Sequence, residues 1–321
     1  MTPPPSNSVV SVNSVGSRPA DAASVVVIGD ALIDELRDGT SSKVHVGGAA
    51  LNVAVGLSIL GVPTTLVAMV GRDSDGDAIR ELLERWGVTL IATDGPLGSS
   101  RAISDRTDAE PSYSFNQAAQ ARSIDFDDTV RTAIDAAGLV VVSCFPFDNQ
   151  EQSDQLEAAI QTPETRLVLD PNPRAGMLHD RELFVRNFER LAGASLLTKV
   201  GDEDAELLYD APLASLRDRI LAAGATAVLT TAGRDGAGVS TASGLGVTVP
   251  IADLPGAIVD TMGAGDATLA AVTHSIAVDG LPANVESWRN LLHDAMAIAA
   301  ATCRFEGAQL RLPAELDGRR G

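Results

Sequence analysis

From Gly138 onward, short apolar runs and stretches of helical spacing take turns: Leu139 to Val142, Leu156 to Ile160, Leu167 to Leu169, Leu183 to Leu191, Leu196 to Thr198, Ala205 to Leu208 and Ala227 to Thr230. Parallel strands cannot be joined by a tight turn, and the crossover between them is usually a helix. The alternation therefore predicts an α/β fold with a mostly parallel central sheet and helices on both faces. Ser24 to Gly29 (SVVVIG) is a β-branched run ending in glycine, as expected of a central strand buried on both sides. With 321 residues and 45% hydrophobic content, the chain has material enough for such a core.

The stretch Val259-Asp260-Thr261-Met262-Gly263-Ala264-Gly265-Asp266 lies between a short apolar strand signal and a helical run. Ala267 to Asp279 has no Pro or Gly and carries Leu269, Val272, Thr273 and Ile276 at helical spacing, so Gly263 to Gly265 should form the helix's opening turn. Such a turn leaves backbone N–H groups unpaired at the positive end of a helix, where they bind phosphate. A carboxylate beside a phosphate site repels its ligand. Asp266 makes chemical sense there if it accepts a proton from an attacking hydroxyl. The plainer alternative is a tight turn in which Asp266 caps the helix.

Other stretches fit a ligand at the ends of strands. Gly29-Asp30-Ala31-Leu32-Ile33-Asp34 follows the first strand, where open α/β sheets bind ligands, and offers Asp34 to a polar group; a solvated loop carboxylate is the alternative. Gly47-Gly48-Ala49-Ala50-Leu51-Asn52 opens a helix that runs to Gly61, with Asn52 a lone amide on an apolar helix. Ser99 to Ser104 and Pro111 to Gln117 alternate around Arg106-Thr107-Asp108-Ala109-Glu110, a hairpin signal. With Lys43 to Val46 they would build a small sheet outside the main one, or else extend its edge. Asp170-Pro171-Asn172-Pro173-Arg174 is a rigid loop from which Arg174 reaches the cleft or only the solvent.

Val259 to Asp266 resembles the DTxGAGD signature of the ribokinase, or PfkB-type, sugar kinases, and Gly47 to Ala54 resembles their amino-terminal signature. Asp170 to Arg174 resembles the DPNxR segment of fructokinases and 2-keto-3-deoxygluconate kinases, and Thr231-Ala232-Gly233-Arg234-Asp235-Gly236 resembles the family's TxGxxG nucleotide loop. The resemblance spans about Val25 to Pro313 and implies a ribokinase-like fold with a small β-sheet lid. It divides the chain into a disordered tail over 1–23, a kinase domain over 24–313 with lid segments at about 32–47 and 95–120, and a carboxyl-terminal tail over 314–321.

The resemblance also implies in-line transfer of the ATP γ-phosphoryl group to a sugar hydroxyl, with Asp266 as base and Gly263, Ala264 and Gly265 as anion hole. Asp34, Gly47, Gly48, Asn52 and Arg174 would hold the sugar, and Lys199, Thr231, Gly233 and Gly236 the nucleotide. It implies Mg2+ with ATP and extends to K+ near a strand holding Asp260. Lys199 to Asp204 departs from the family pattern: Gly201 stands where Asn or Ser is common and Asp204 where Glu is. Asp204 is therefore either a metal-linked residue or simply an acidic residue in a first helical turn.

The Gly-Gly-Ala form and Gly29 to Asp34 are similar to fructokinases. Ser114-Phe115-Asn116-Gln117-Ala118 supplies neutral amides where deoxygluconate kinases tend to carry Arg. Fructose is the expected sugar; alternatives are 2-keto-3-deoxygluconate, ribose or a nucleoside, or a non-catalytic sugar-binding role prompted by Gly201 and Asp204. A Walker GxxxxGK[ST] motif is absent.

A net charge of −19 argues against nucleic acid and anionic membranes as partners. His45, His179, His274 and His293 form no HxxxH or HExxH pair, and Cys144 and Cys303 are isolated among apolar residues, so zinc chemistry is not expected. The first 23 residues lack a basic start followed by an apolar core, and no segment reads as a membrane span. The expectation is a cytoplasmic enzyme whose partners are a sugar, ATP and a second copy meeting it through the lid.

Overall fold

The computed structural model describes residues 23–38, 41–105, 112–161 and 166–319. The 1–22 part of the expected tail and the turn Arg106 to Glu110 lie outside them. In chain order the strands are β1 Val25–Gly29, β2 Leu32–Asp38, β3 Ser41–Gly47, β4 Thr64–Val70, β5 Thr89–Asp94, β6 Ser100–Asp105, β7 Ser112–Phe115, β8 Leu139–Ser143, β9 Leu167–Asp170, β10 Leu197–Gly201, β11 Ala227–Thr231, β12 Ala237–Thr241 and β13 Gly246–Val249. The helices are α1 Ala49–Ile59, α2 Ser74–Arg85, α3 Gln117–Gln120, α4 Asp128–Asp135, α5 Gln150–Ile160, α6 Arg181–Ala192, α7 Asp202–Tyr209, α8 Leu213–Ala223, α9 Ala264–Asp279 and α10 Val285–Thr302.

Nine strands form the main sheet in the order β13-β12-β11-β10-β9-β8-β1-β4-β5. Pairing is parallel from β5 to β11 and antiparallel for β12 and β13. Strand β1 lies between β4 and β8, with Val27 beside both Leu66 and Val141. Chain order runs outward in both directions from β1, which makes its carboxyl end the place where an open sheet leaves a crevice.

The period-2 alternation of strand side chains divides β1 between two cores. Val25 and Val27 join α1, α9 and α10 through Val53, Leu269, Val272 and Trp288. Val26 and Ile28 join Phe145, Phe147, Leu156, Phe184 and Ile220 on the other face. Strands so enclosed are continuously apolar, which is why the sequence shows them as unbroken runs.

The second sheet is separate and has the order β3-β2-β6-β7. Strand β2 runs antiparallel to β3 and parallel to β6, and β6 is antiparallel to β7. An extension of the main sheet is thereby excluded. The segment after β1, expected to offer Asp34 to a ligand and to enter the lid at about residue 32, is strand β2, with Leu32 and Ile33 buried and Asp34 opposite His45.

Two other expectations change. Ile258 to Asp260 form no strand; Val259 and Asp260 donate their N–H groups to the Cys303 carbonyl, and Ile258 and Val259 stay exposed. Their apolar character reflects an exposed loop rather than a buried strand. Pro313–Arg319 is a 3-10 helix with Leu316 buried, where the sequence reading ended the domain at residue 313. Among the described residues no helix is long and apolar enough to cross a membrane.

Candidate active site

The carboxyl ends of β1, β8, β9, β10 and β11 carry Gly29, Ser143, Asp170, Gly201 and Thr231, and α1 and α9 both begin above this edge. Helix α9 starts at Gly263, whose backbone is left-handed (φ 77°). A Cβ there would lie 2.2 Å from the Ala308 carbonyl oxygen, so only glycine fits the turn against the loop after α10. The Ala264 N–H closes the turn onto the Thr261 carbonyl at 3.3 Å, while the N–H groups of Gly263, Gly265 and Asp266 have no acceptor among the described residues. The expected free set thus loses Ala264 in part and gains Asp266, because the turn closes on itself one residue early.

Asp266 is 7% exposed and its Oδ2 accepts a hydrogen bond from Asn52 Nδ2 at 2.9 Å. Two motifs separated by 214 residues meet in that bond. Burial pushes the Asp266 carboxyl up to about 6, against the pull of the Lys199 charge and the Asn52 hydrogen bond. Asn52 Oδ1 is buried with no partner among the described residues, leaving an acceptor beside Asp266. An unsatisfied buried acceptor is costly, so a ligand hydroxyl fits there.

Asp34 leans over Gly47: a Cβ on Gly47 would fall 2.3 Å from Asp34 Oδ2, so the bare backbone makes room for the carboxylate. Burial, reinforced by the Asp30 carboxylate, pushes Asp34 up to about 7. Gly48 precedes α1, and Asp30 anchors that helix by accepting the Ala50 N–H through Oδ1 at 3.0 Å and the Leu51 N–H through its carbonyl. Arg174 is solvent-exposed at the mouth of the cleft, and its charge faces Cys144 and the carboxylates of Asp266, Asp30 and Asp170.

Lys199 is buried on β10, with Nζ 3.0 Å from Asp170 Oδ1. Thr231 stands beside Gly201 in register at the strand ends. The turn that follows separates its two glycines by duty. Gly233 has open space where a Cβ would be, whereas a Cβ on Gly236 would lie 2.1 Å from the Val249 carbonyl oxygen. Gly236 is thus packed against the end of β13, and Gly233 faces outward.

The two acidic residues expected near metal have other partners. Asp204 lies in the first turn of α7, and its Oδ2 accepts the Gly201 N–H at 2.6 Å. Asp260 accepts the Met262 N–H at 3.0 Å and the Gly307 N–H at 3.2 Å, pinning two loops together. No group of three His, Cys, Asp or Glu side chains suited to a metal ion gathers among the described residues.

Sequence reasoning missed Asp30, Asp170 and Arg122. Arg122 lines a cavity of about 10 Å³ with Asp30, Ser100 and Cys144, room for about one water. Its Nη1 donates to the Ala119 carbonyl at 3.3 Å, but its Nε is buried without a partner among the described residues. A cation besides Arg174 therefore stands next to Asp30, in the chain just after the Ser114 to Ala118 segment that was read as supplying neutral amides. Asn116 is not one of those free amides, since its side chain caps α3 and bonds the backbone of Ser99 and Arg101. Nothing in the local sequence marks Arg122; its place depends on how the segment after α3 packs against β1 and β8.

A family model described as pfkB family carbohydrate kinase matches residues 20–315. The fructokinase of Rhizobium leguminosarum bv. trifolii is 30% identical over 274 residues, covering 80% of this chain and 81% of that protein. Among solved structures, the fructokinase with bound ATP from Xylella fastidiosa is similar with a TM-score of 0.74 at 20% identity, covering 92% of this chain and 97% of that one. The aminoimidazole riboside kinase from Salmonella enterica, complexed with aminoimidazole riboside and an ATP analog, has a TM-score of 0.71 at 22% identity, covering 92% of this chain and 99% of that one.

Proposed function

The chain belongs to the pfkB family of carbohydrate kinases, and from that premise we propose that it transfers the γ-phosphoryl group of ATP to a primary hydroxyl of fructose. The observation that carries the proposal is the Asn52–Asp266 hydrogen bond at the free N–H groups of α9. It supports this reading by bringing a carboxylate, an amide with an unused acceptor and a turn with free N–H groups to one point. In this reading Asp266 takes the proton of the attacking hydroxyl while the Gly263 to Gly265 turn stabilises charge on the transferring phosphoryl. Both events occur at a buried place, where electrostatic effects are stronger than in water.

Asp34, Gly47, Gly48 and Asn52 hold the sugar, with Arg174 at the entrance. Lys199, Thr231 and Gly233 lie toward the nucleotide, and Gly236 shapes its loop. The second sheet serves as a lid that excludes water, and its strand β3, with Val44 53% exposed, supplies a surface for a second copy. Magnesium enters as part of the nucleotide substrate, bound by phosphate oxygens; neither Asp204 nor Asp260 is assigned to it.

A second reading, that the sugar is an acid such as 2-keto-3-deoxygluconate, is favoured by one observation. Arg122 Nε has no partner, and Arg122 and Arg174 both face Asp30. ADP release from the full chain with Mg-ATP, against fructose, ribose, 2-keto-3-deoxygluconate, adenosine and fructose phosphates, with and without potassium, separates the two. Fructose is expected to give the highest kcat/KM. A higher value for the sugar acid would replace the first reading with the second, and no ADP from any sugar would contradict both.

A further inference from the structure

We infer that Asp170 is a positioning residue, which holds the Lys199 ammonium beside the Gly263 to Gly265 turn so that Lys199 becomes a direct ligand of the transferring phosphoryl group. The inference rests on the phosphotransfer reading above. Ser143, Asp170 and Lys199 lie at or near the carboxyl ends of three adjacent strands, β8, β9 and β10. Asp170 has no solvent exposure, and both its oxygens are engaged: Oδ2 accepts from Ser143 Oγ at 3.1 Å and Oδ1 from Lys199 Nζ at 3.0 Å. The carboxylate is therefore held from the other side while it holds the lysine.

Lys199 itself is 6% exposed. An ammonium has three protons to donate. One goes to Asp170, and among the described residues Nζ meets no other acceptor at hydrogen-bond distance. A buried donor left without a partner is unfavourable, so the direction in which the remaining protons have room matters. That direction includes Gly265. A Cβ placed on Gly265 would lie 3.4 Å from Nζ and 3.7 Å from Cε, so the first turn of α9 rests over the lysine with no side chain between them. An anion bound by the turn's N–H groups thus meets an ammonium already in place.

Asp170 makes the arrangement tolerable when no phosphate is bound. A lone buried cation would be strongly destabilising, and its carboxylate partner offsets that cost. On arrival of the phosphoryl group the lysine keeps Asp170 and gives its unused protons to phosphate oxygens. No covalent bond to Lys199 is formed, and charge alone is stabilised.

The test uses the full chain and the variants Lys199→Met, Asp170→Asn and the two combined. Lys199→Met should lower kcat about 10²–10³-fold, the scale of losing one preorganised donor to a developing charge. It should also cut the preference for ATP over ADP, measured calorimetrically without sugar, by about tenfold, while sugar affinity holds. Asp170→Asn should lower kcat by at least about tenfold alone but less than about threefold when Lys199 is already Met, because the two residues act as one unit. The double variant replaces the ion pair by neutral groups of similar shape, so if Lys199→Met alone fails to fold, the loss of ATP-over-ADP preference is read in the double variant instead. Lys199→Met with wild-type kcat and an unchanged ATP preference would overturn the proposal. So would an Asp170→Asn cost of the same factor in both backgrounds. The ATP and ADP titrations need no sugar, so a mistaken sugar assignment would show as silence of the wild-type chain across the sugar panel and leave this result readable.

Discussion

Opposed effects set the charge of Asp266. Burial favours its neutral form, whereas Lys199 and the Asn52 amide favour the carboxylate, and the outcome is a carboxyl pushed up to about 6. A base must be deprotonated to act, so activity should be full above that value and lost as pH falls through it. The pH profile of kcat/KM should therefore show an acid limb near 6, falling about tenfold per unit below it. Asn52→Ala removes one of the groups favouring the carboxylate and should move the limb upward. An acid limb near 4, the ordinary Asp range, would show that burial does not govern this residue. Asp266 and Asn52 were legible as candidate residues because each stands at a fixed place in a short motif. Asp170 and Arg122 were not, since their partners come from strands and loops far away in the chain.

On the scale of elements, side chains tie the second sheet to helix α2. Arg101 on β6 gives Nη1 to Glu35 on β2 at 2.7 Å and Nη2 to Asp75 on α2 at 2.7 Å. Next to it Asp73 accepts both the N–H and the hydroxyl of Ser99 at 2.7 Å while capping α2 through the Gly76 N–H. Arg37 and then Arg101 hold Glu35 down to about 2, so these links persist across the working pH range. Arg101→Met should loosen the lid: amides of β2 and β6 should exchange hydrogen faster, by about 1–3 kcal/mol of lost protection, and the KM for sugar should rise more than kcat falls. Unchanged exchange in β2 and β6 would mean that backbone pairing alone holds the sheet. The hairpin of this sheet was visible in its alternating residues. Strand β2 falls within the lid segment expected at about 32–47 but carried no strand signal of its own, because Leu32 and Ile33 are buried in succession and the run reads as a continuation of the β1 region.

Across the whole molecule, β1 at the switch point brings five strand ends and two helix starts to one edge. The alternation of strands and helices predicted the parallel sheet, since crossovers leave their mark on the sequence. It did not predict strand order, which depends on packing between distant segments. The same limit explains the misread stretch at Ile258 to Asp260, whose apolar pattern is that of a strand although its N–H partners belong to a loop. A net charge of −19 says little about the cleft, where Lys199, Arg122 and Arg174 stand among carboxylates. The most direct test compares ADP formation by the wild-type chain and Asp266→Asn, with ATP and sugar binding measured on both. Near-normal binding by the variant is expected, with kcat lower by about 10²–10⁴-fold. Wild-type turnover in Asp266→Asn would show that the proton leaves by another route and would contradict the site assigned here.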